Sequence, residues 1–250
     1  MSGRLTIVGL GPGAPELTTP AVLHALQEAT DLVGYDTYLA RVPELAPGQQ
    51  RHASDNRVEL DRARHALSLA AAGRQVVVVS GGDPGVFAMA AAVFEAVETG
   101  EPQWRELDIR VEPGVTAMLA AAAEVGAPLG GDFCAISLSD NLKAWSTVER
   151  RLKAAAEGDF VIAFYNPASK ARPTQLGQAF DLLRTLKSAD TPVLLVRAAG
   201  TADAQVITTT LGAADPSRAD MRTLVIVGAS TTRQVGRWVY TPRSERAGRS

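Results

Sequence analysis

The stretch Ser80–Phe87, of sequence SGGDPGVF, carries residue types suited to holding a ligand. Its three glycines let a ligand approach the main chain closely and tolerate positive φ. Pro84 fixes one backbone dihedral angle, and Asp83 supplies a short acceptor side chain. A tight turn whose aspartate caps the next helix would use the same residues, so this stretch alone leaves both interpretations open.

The flanking segments place this stretch between a strand and a helix. Gln75–Val79 is an apolar, β-branched run that predicts a buried strand, and Ala88–Val97 is rich in strong helix formers. Pro113–Ala117 likewise follows a predicted strand, at 109–111, and opens an alanine-rich helix that ends at Val125. Ligands collect at the carboxyl ends of strands in open α/β sheets, so two such turns in one sheet favour a ligand cleft.

The first predicted strand, Arg4–Gly9, runs into another glycine-rich loop, Leu10–Pro15. The glycines follow the pattern G-x-G-x-G and not the G-x-G-x-x-G of dinucleotide-binding folds, and two prolines prevent a helix from starting at once. A dinucleotide site is therefore not predicted here. Thr19–Pro20, a capping residue followed by proline, predicts the start of the first helix.

The remaining segments predict an α/β fold of two domains with a cleft between them. In the first half, a strand at 31–35 is followed by a polar loop up to residue 57 and a helix over 58–72. The second half contains more strands on shorter connections, which favours antiparallel pairing. Its predicted strands lie at 135–140, 159–165, 192–196, 205–211 and 223–227, and its helices at 147–156 and 173–187.

The loop-like segment 126–132 predicts an interdomain connection. We therefore expect an N-terminal domain over 1–126, a C-terminal domain over 127–240 and a basic tail over 241–250. The residues from Arg233 onward include five Arg and one Glu, a net charge of +4, and the total of −2 thus leaves −6 for residues 1–232. This basic end is expected to be solvated and partly disordered; a role over an anionic ligand is the alternative.

Composition narrows the function classes. A net charge of −2 argues against general nucleic-acid binding, and no apolar run approaches the roughly 20 residues of a membrane span. Cys134 is the single cysteine, so no intrachain disulfide can form, and the N-terminus lacks the apolar core of a signal peptide. We expect a cytoplasmic protein that contacts neither membrane nor nucleic acid.

The side chains that commonly carry chemistry are sparse. His24, His52 and His65 have no metal-ligand spacing, so no metal site is predicted, and neither a G-x-S-x-G elbow nor a Walker A loop occurs. Glycine turns, a few acids and main-chain groups at strand ends remain. Such an inventory suits a reaction whose difficult chemistry is carried by a bound cofactor.

Together, these motifs resemble the class III S-adenosylmethionine-dependent methyltransferases, the tetrapyrrole methylases, over nearly the whole chain. The family resemblance rests on Gly9–Gly13, Gly81–Gly85, Pro113–Ala117 and Tyr165–Asn166–Pro167. More discriminating stretches resemble the members that act on precorrin-3B in cobalamin synthesis: Val33–Tyr38, Ser54–Arg57, Ser80–Met89, Ile136–Asp140 with Trp145, and Phe164–Pro167 with Ser169 and Arg172.

This resemblance implies two α/β domains, a kidney-shaped homodimer, and S-adenosylmethionine folded in the cleft between the domains. The donor is expected to contact both halves of the chain. The implied donor-binding residues are Pro12, Gly82, Asp83, Pro84, Gly85, Val86, Phe87, Thr116, Ala117, Tyr165, Asn166, Thr208 and Thr209.

The implied reaction transfers a methyl to carbon-17 of precorrin-3B and contracts the ring to precorrin-4, releasing S-adenosylhomocysteine. Asp83, Asp132 and Asp140 are candidates for proton movement, with a turn or capping role as the alternative for each. Because the substrate is a polycarboxylate, arginines are expected around it. The candidate substrate-binding residues are Gly11, Gly13, Asp55, Arg57, Ser137, Arg150 and Arg172, with Arg151 a further arginine beside them.

Two positions depart from the expected family pattern. Gly131 stands where a histidine is expected between Gly130 and Asp132, and Gly200–Thr201 stands where a glycine–arginine pair is expected. Alternatives therefore stay open: the cobalt-precorrin-3 counterpart of the reaction, another cobalamin-pathway methylase, or a tetrapyrrole carrier without catalysis. A nicotinamide dehydrogenase is a weaker alternative, because the first glycine loop has the wrong spacing.

Overall fold

The computed structural model describes residues 3–43, 47–55 and 58–244. The chain forms two compact units, 1–117 and 118–250. The sequence predicted the boundary after residue 126, nine residues later than the observed one. The difference is the length of one helix, Ala117–Val125.

The first unit alternates strands with helices, joined in places by short 3-10 turns. Its elements are β1 (Arg4–Gly9), α1 (Pro20–Glu28), β2 (Asp31–Tyr35), α2 (Asp36–Leu39), β3 (Gln50–Ser54), α3 (Glu59–Ala71), β4 (Gln75–Ser80), α4 (Met89–Thr99) and β5 (Asp108–Glu112). The strands form one parallel sheet in the order β3-β2-β4-β1-β5. The predicted cap is confirmed, since the Thr19 side chain accepts a hydrogen bond from Val22 N.

The valines of the central strand β4 are apolar without interruption because the strand packs on both faces. Val76 and Val78 join the core formed with α3 and α4, and Val77 and Val79 join the core formed with α1. Parallel sheets covered by helices on both sides bury both sets of side chains. Because β4, β1 and β5 are parallel neighbours, their carboxyl ends lie side by side at one edge of the sheet.

The polar loop predicted up to residue 57 is wrong in part, because it contains α2 and β3. β3 is an edge strand that pairs with β2 alone, from Asp31↔Gln50 to Tyr35↔Ser54. Its sequence, QRHAS, lacks apolar alternation because it lies at the edge and is only partly buried. Arg51 fastens it by donating to the carbonyls of Leu39 and Val42.

The second unit combines parallel and antiparallel strands. Its elements are α5 (Ala117–Val125), β6 (Gly126–Ala127), β7 (Phe133–Ser137), α6 (Trp145–Glu157), β8 (Val161–Tyr165), α7 (Gln175–Arg184), β9 (Pro192–Arg197), β10 (Gln205–Thr210), β11 (Thr223–Val227), β12 (Arg233–Val235) and β13 (Trp238–Tyr240). The main sheet has the order β10-β9-β11-β8-β7. Antiparallel pairing is confirmed for β10, β9, β11 and β8, whereas β7 and β8, joined through α6, are parallel.

A small third sheet, β12-β13-β6, corrects two predictions. Part of the loop-like segment 126–132 is the strand β6, which pairs with β13. The residues from Arg233 to Tyr240, expected to be solvated, form a hairpin whose Val239 is fully buried. Gly126 permits the pairing, because a Cβ there would lie 2.8 Å from Val239 O. Residues 245–250 of the predicted tail lie outside the described residues.

Within the described ranges, no helix has both the length and the apolar character needed to cross a membrane. In the same ranges, no group of three or more His, Cys, Asp or Glu side chains could hold a metal ion.

Asp31, at the start of β2, is a fully buried carboxylate held by three side chains. It accepts hydrogen bonds from Arg74 Nε (2.7 Å) and Thr30 Oγ1 (2.6 Å), and its Oδ1 lies 2.9 Å from His52 Nε2. Burial by itself raises the pKa of this carboxyl, but the hydrogen bonds from Arg74, Thr30 and His52 outweigh burial and lower the pKa. Its charged form therefore stabilises the fold above the ordinary pKa of 3.8, and this contribution is lost as pH falls through the lowered, folded-state pKa.

We expect Asp31→Asn to lower the free energy of unfolding by about 2 kcal/mol at pH 7, because hydrogen bonds to a charged group are weakened. Urea unfolding at pH 7 and at pH 3 measures the effect, and the wild type is expected to lose its advantage as the pH falls. Asp61→Asn is the control, since this exposed acid makes only a surface ion pair with Arg64. Equal stability of Asp31→Asn and the wild type at pH 7 would contradict the assignment.

Candidate functional site

Three turns leave the carboxyl ends of β1, β4 and β5 and pack main chain against main chain. Gly11 and Gly82 exchange two backbone hydrogen bonds, of 3.1 Å from Gly11 N and 2.9 Å from Gly82 N. A Cβ on Gly9 would lie 2.4 Å from Gly82 O, and a Cβ on Gly114 would lie 2.2 Å from the same oxygen. The predicted convergence of glycine turns at one sheet edge is confirmed, and the packing leaves no room for side chains at Gly9 or Gly114.

At position 82 it is the backbone conformation, and not a lack of space, that requires glycine. Its φ of +62° lies in the left-handed region, while a Cβ there would meet nothing nearer than Thr116 Cα at 3.7 Å and Ala117 N at 3.8 Å. The structure thus brings together Gly82, Thr116 and Ala117, three of the residues predicted to bind the donor.

Asp83 ties two of these turns together. Its Oδ1 accepts from Gly85 N at 2.8 Å, and its Oδ2 accepts from Gly114 N at 3.1 Å. The alternative of a helix cap is wrong, because α4 begins at Met89 and Ala88 occupies the N-cap position. Both carboxylate oxygens are engaged with main-chain N–H groups, which favours a role in holding the turns.

Phe87 is unusual for a large apolar residue. Its φ is +51°, and its side chain is 52% exposed. A left-handed conformation is strained for a bulky side chain, and strain of this kind concentrates at functional sites. The strained backbone therefore holds an exposed aromatic ring at the end of the glycine turn. Two further predicted residues, Val86 in this turn and Gly13 in the turn after β1, are partly exposed.

Arg41 is a residue of this site that the sequence did not predict. Its Nη2 donates to the carbonyls of Leu10 (3.1 Å) and Gly11 (3.0 Å), and burial lowers the pKa of its guanidinium. Tyr38 is a second such residue, because its ring packs against Gly81. A Cβ on Gly81 would lie only 2.6 Å from that ring. Arg41 is marked by no local pattern, and Tyr38 only by its place in the stretch Val33–Tyr38. Each acts through a contact made only in the folded chain.

The predicted substrate residue Asp55 follows β3 at the same edge of the sheet. Asp55 is exposed, and its carbonyl accepts a 2.6 Å hydrogen bond from Arg62 Nη2. Arg62 is a buried arginine of α3 that also donates to Ser54 Oγ. Arg57 lies outside the described residues.

In the second unit, the polar groups gather at the carboxyl ends of β7 and β8, which are parallel neighbours paired through Ser137↔Tyr165. Ser137 Oγ accepts from Asn166 Nδ2 at 3.0 Å, and Asn166 has a left-handed φ of +53°. The carbonyl of Asn166 in turn accepts from Arg172 Nη1 at 3.3 Å. The structure thus brings together Ser137, Asn166 and Arg172.

The two candidate acids of this unit lie at opposite ends of β7. Asp140 follows its carboxyl end, and its Oδ2 accepts from Gln175 Nε2 at 3.1 Å. Asp132 precedes its amino end and is exposed. Five strand residues separate them, a span of about 17 Å. One active centre cannot therefore use both acids at this spacing.

Tyr165 and the threonine pair Thr208–Thr209 are not neighbours in the sheet. The Tyr165 hydroxyl accepts from Met118 N at 3.1 Å, at the carboxyl end of β8. Thr208–Thr209 lies on the edge strand β10, and Thr209 pairs with Val193 near the start of β9. Two strands, β9 and β11, separate β10 from β8. The expected joint role of these residues in donor binding stays a prediction.

We expect Ser137→Ala to lower the free energy of unfolding by about 1–2 kcal/mol, because the partly buried Asn166 amide and Ser139 N lose their common acceptor. Thermal or urea unfolding measures the loss. Ser146→Ala, at an exposed position of α6, is the control. A loss no larger than that of the control would show that the Ser137 hydroxyl does not hold Asn166 in its left-handed conformation.

Comparison with known proteins identifies the family. The family model of the tetrapyrrole (corrin/porphyrin) methylases matches residues 4–215. The chain belongs to the tetrapyrrole methylases. This methylase is 56% identical over 248 residues to the precorrin-3B C(17)-methyltransferase of Sinorhizobium sp, with 97% of both chains covered.

A second relative of this tetrapyrrole methylase is the probable cobalt-factor III C(17)-methyltransferase of Salmonella typhimurium. It is 44% identical over 239 residues, which cover 96% of this chain and 98% of the relative. Among solved structures, that of the methyltransferase CobJ matches with a TM-score of 0.94 and 56% identity, covering 96% of this chain and all of CobJ. The resemblance inferred from the glycine turns is therefore confirmed, as is the α/β fold of a tetrapyrrole methylase.

One departure from the expected family pattern has a structural basis in this methylase. A Cβ on Gly131 would lie 2.9 Å from Thr241 Cγ2, and one on Gly130 would lie 2.4 Å from Thr241 O. Thr241 is buried and donates its hydroxyl to the carbonyl of Pro128. A histidine at 131 would therefore require Thr241 to move.

Proposed function

We propose that this chain transfers the methyl group of S-adenosylmethionine to carbon-17 of precorrin-3B, with contraction of the macrocycle to precorrin-4. The observation that carries the proposal is the 56% identity, over 97% of both chains, to a protein named precorrin-3B C(17)-methyltransferase. The TM-score of 0.94 to CobJ supports the same assignment. S-Adenosylhomocysteine is the expected second product.

The turns of the first unit fit such a donor. The missing side chains at Gly82 and Gly85 let a ligand approach the backbone of the turn closely. The N–H and C=O of Gly82 and the N–H of Gly85 are already bonded within the turns, so they shape the surface that the donor meets. The exposed ring of Phe87 adds an apolar surface. When bound, S-adenosylmethionine supplies an electrophilic methyl group. We assign its contacts to Pro12, Gly82 to Phe87, Thr116 and Ala117, and in the second unit to Tyr165, Asn166, Thr208 and Thr209.

The task of the protein in the methyl step is alignment. Holding two reactants in line replaces a bimolecular encounter, and this positioning lowers the barrier by several kcal/mol, roughly 7–11 in well-oriented cases. The close backbone packing among Gly9, Gly82 and Gly114 supports such positioning by the first unit's turns.

Ring contraction requires proton movement, for which Asp83, Asp132 and Asp140 are the candidates. We favour Asp140. Both oxygens of Asp83 hold main-chain N–H groups, whereas within the described residues Asp140 has a single hydrogen bond, from Gln175. Asp140 also lies at the carboxyl end of its strand, with Ser137 and Arg172 nearby in the chain's fold.

The test is an incubation of pure protein with precorrin-3B and S-adenosylmethionine, followed by mass spectrometry and absorption spectroscopy. A product one methyl heavier with a ring-contracted spectrum and released S-adenosylhomocysteine is expected. Methylation without contraction would make Gly131 the position to examine next. Donor binding without methylation of either the metal-free or the cobalt-loaded substrate would favour the carrier alternative.

The second candidate function is the corresponding step on a cobalt-loaded substrate. The observation that favours it is the 44% identity to the probable cobalt-factor III C(17)-methyltransferase over nearly the full length of both chains. Parallel incubations with metal-free and cobalt-loaded substrate separate the two, since the higher kcat/KM identifies the physiological form.

We further propose a homodimer that acts in the cytoplasm. The resemblance to the tetrapyrrole methylases supports the dimer, and the single free Cys134 fits a reducing compartment. Light scattering at micromolar concentration tests the oligomeric state, and a monomeric mass would contradict it.

A further inference from the structure

Three cations of the second unit belong to the segments that follow β7 and β8, and two of them act electrostatically on the third, Lys143, as does Asp140. Lys143 is in the loop that follows β7, Arg151 is in α6, and Arg172 is in the segment that follows β8. β7 and β8 are parallel neighbours, so both segments leave the same edge of the sheet. The hydrogen bond from Asn166 to Ser137 and that from Arg172 to the Asn166 carbonyl hold the two segments together.

Arg172 is buried without an acidic partner. Its side chain belongs to a residue only 8% exposed, yet in the described part of the chain it donates one side-chain hydrogen bond and makes no ion pair. An arginine has five N–H donors in a planar fork that matches a carboxylate. Gln49 Oε1 is the one fully buried polar side-chain atom without a partner in the described ranges, so the unused nitrogens of Arg172 retain access to the surface.

Lys143 is half-buried and makes neither a hydrogen bond nor an ion pair with any described residue. Burial lowers the pKa of its ammonium group, and the positive charges of Arg151 and Arg172 lower it further, while Asp140 acts in the opposite direction. Lys143 thus feels two further positive charges and follows by three residues an acid, Asp140, whose Oδ2 is already bound to Gln175. Arg172 is buried, Lys143 is half-buried and Arg151 is exposed. Positive charge that is partly buried, with donors to spare, is complementary to an anion.

We propose that Lys143, Arg151 and Arg172 form a subsite for one side-chain carboxylate of the tetrapyrrole substrate, with Lys143 as its previously unassigned contact. This proposal rests on the proposed function, because the polycarboxylate substrate supplies the anion. The subsite lies beside Asp140, the acid favoured for proton movement, so binding of the carboxylate would place the macrocycle near that acid.

The test measures binding of uroporphyrin III, a stable octacarboxylate, by fluorescence titration of the full chain at low and moderate salt. Lys143→Met and Arg151→Met are expected to weaken binding about tenfold each and to make it less salt-dependent, since each removes one charge that contacts the ligand. The matched control is Lys153→Met, two residues further along α6 and therefore on a different face of the helix. Arg172→Lys keeps the charge at the buried position but removes the fork, and should fall between Lys143→Met and the wild type.

A second measurement follows the protonation of the Lys143 ammonium group. In protein carrying ¹³C-methylated lysines, the Lys143 resonance is identified by its absence in Lys143→Met, and its pKa is expected to rise when uroporphyrin III binds. Unchanged binding by Lys143→Met, no response of the Lys143 pKa, or no binding by the wild type would each overturn the subsite. If the wild type methylates neither form of the substrate while Lys143-dependent uroporphyrin binding persists, the subsite stands and the proposed reaction fails.

Discussion

Replacing Gly114 by alanine is expected to lower the free energy of unfolding by about 3 kcal/mol and to abolish detectable donor binding. The new Cβ would lie 2.2 Å from Gly82 O and 2.5 Å from Gly9 O, both of them main-chain atoms. Gly82 O is fixed by its hydrogen bond from Gly11 N, so relief requires the turn after β5 to move away from the turns after β1 and β4. Urea unfolding measures the stability, and calorimetric titration with S-adenosylhomocysteine measures the binding.

Gly177→Ala is the matched control for this substitution. Gly177 lies in α7, and a Cβ there would meet only Pro216 Cγ, at an ordinary 3.7 Å. Alanine is the better helix former, so this variant should be more stable by about 0.5–1 kcal/mol and should bind the donor as the wild type does. Gly114→Ala with wild-type stability would show that the three turns can move apart at little cost in free energy. The explanation of donor binding by tightly packed turns would then fail.

The elements that the sequence predicted best are those whose signals are local. Val76–Val79 is apolar throughout because both faces of β4 are covered, and the glycines of Ser80–Phe87 follow directly from the strand's end. Thr19–Pro20 marks a helix start through groups no more than three residues apart. Such features need no knowledge of what packs against them, so they can be inferred from the order of residues alone.

The elements and contacts that the sequence did not predict depend on parts of the chain that are distant in sequence. β3 is a strand because β2 lies beside it, and Gly126–Ala127 is a strand because the chain returns more than a hundred residues later to pair with it at β13. Arg41 acts on carbonyls about 30 residues earlier in the chain. None of these contacts leaves a periodic trace in the local sequence, since an edge strand or a single long side chain is fixed by tertiary contacts.

Asp83 shows how the structure refines a correct choice of residue. Its position in a glycine turn predicted a ligand contact, a helix cap or a proton-transfer group. The hydrogen bonds to Gly85 N and Gly114 N replace the cap with a link between two turns that leave different strands. The sequence identified the residue, but its partner at Gly114, 31 positions away, decides what the carboxylate does.

Asp83→Asn is therefore expected to weaken donor binding tenfold or more while leaving the pH–rate profile unchanged. The amide keeps one acceptor oxygen but brings an N–H₂ donor against the N–H of Gly85 or Gly114, and one unpaired main-chain N–H costs about 1–3 kcal/mol. Donor affinity is measured by calorimetry, and kcat is measured at saturating donor from pH 5 to 9. Asp215→Asn is the control, because Asp215 accepts from Ser217 N in an exposed turn and should leave donor binding unaltered.

The two roles of Asp83 give opposite patterns in these measurements. A positioning residue raises the dissociation constant of the donor, and saturating donor then restores most of kcat. A proton-transfer group leaves donor affinity near the wild-type value, lowers kcat at saturation and removes one limb of the pH–rate profile. The second pattern would return Asp83 to the proton-transfer candidates and would weaken the assignment of Asp140, since one acid of the first unit would then perform the task proposed for an acid of the second.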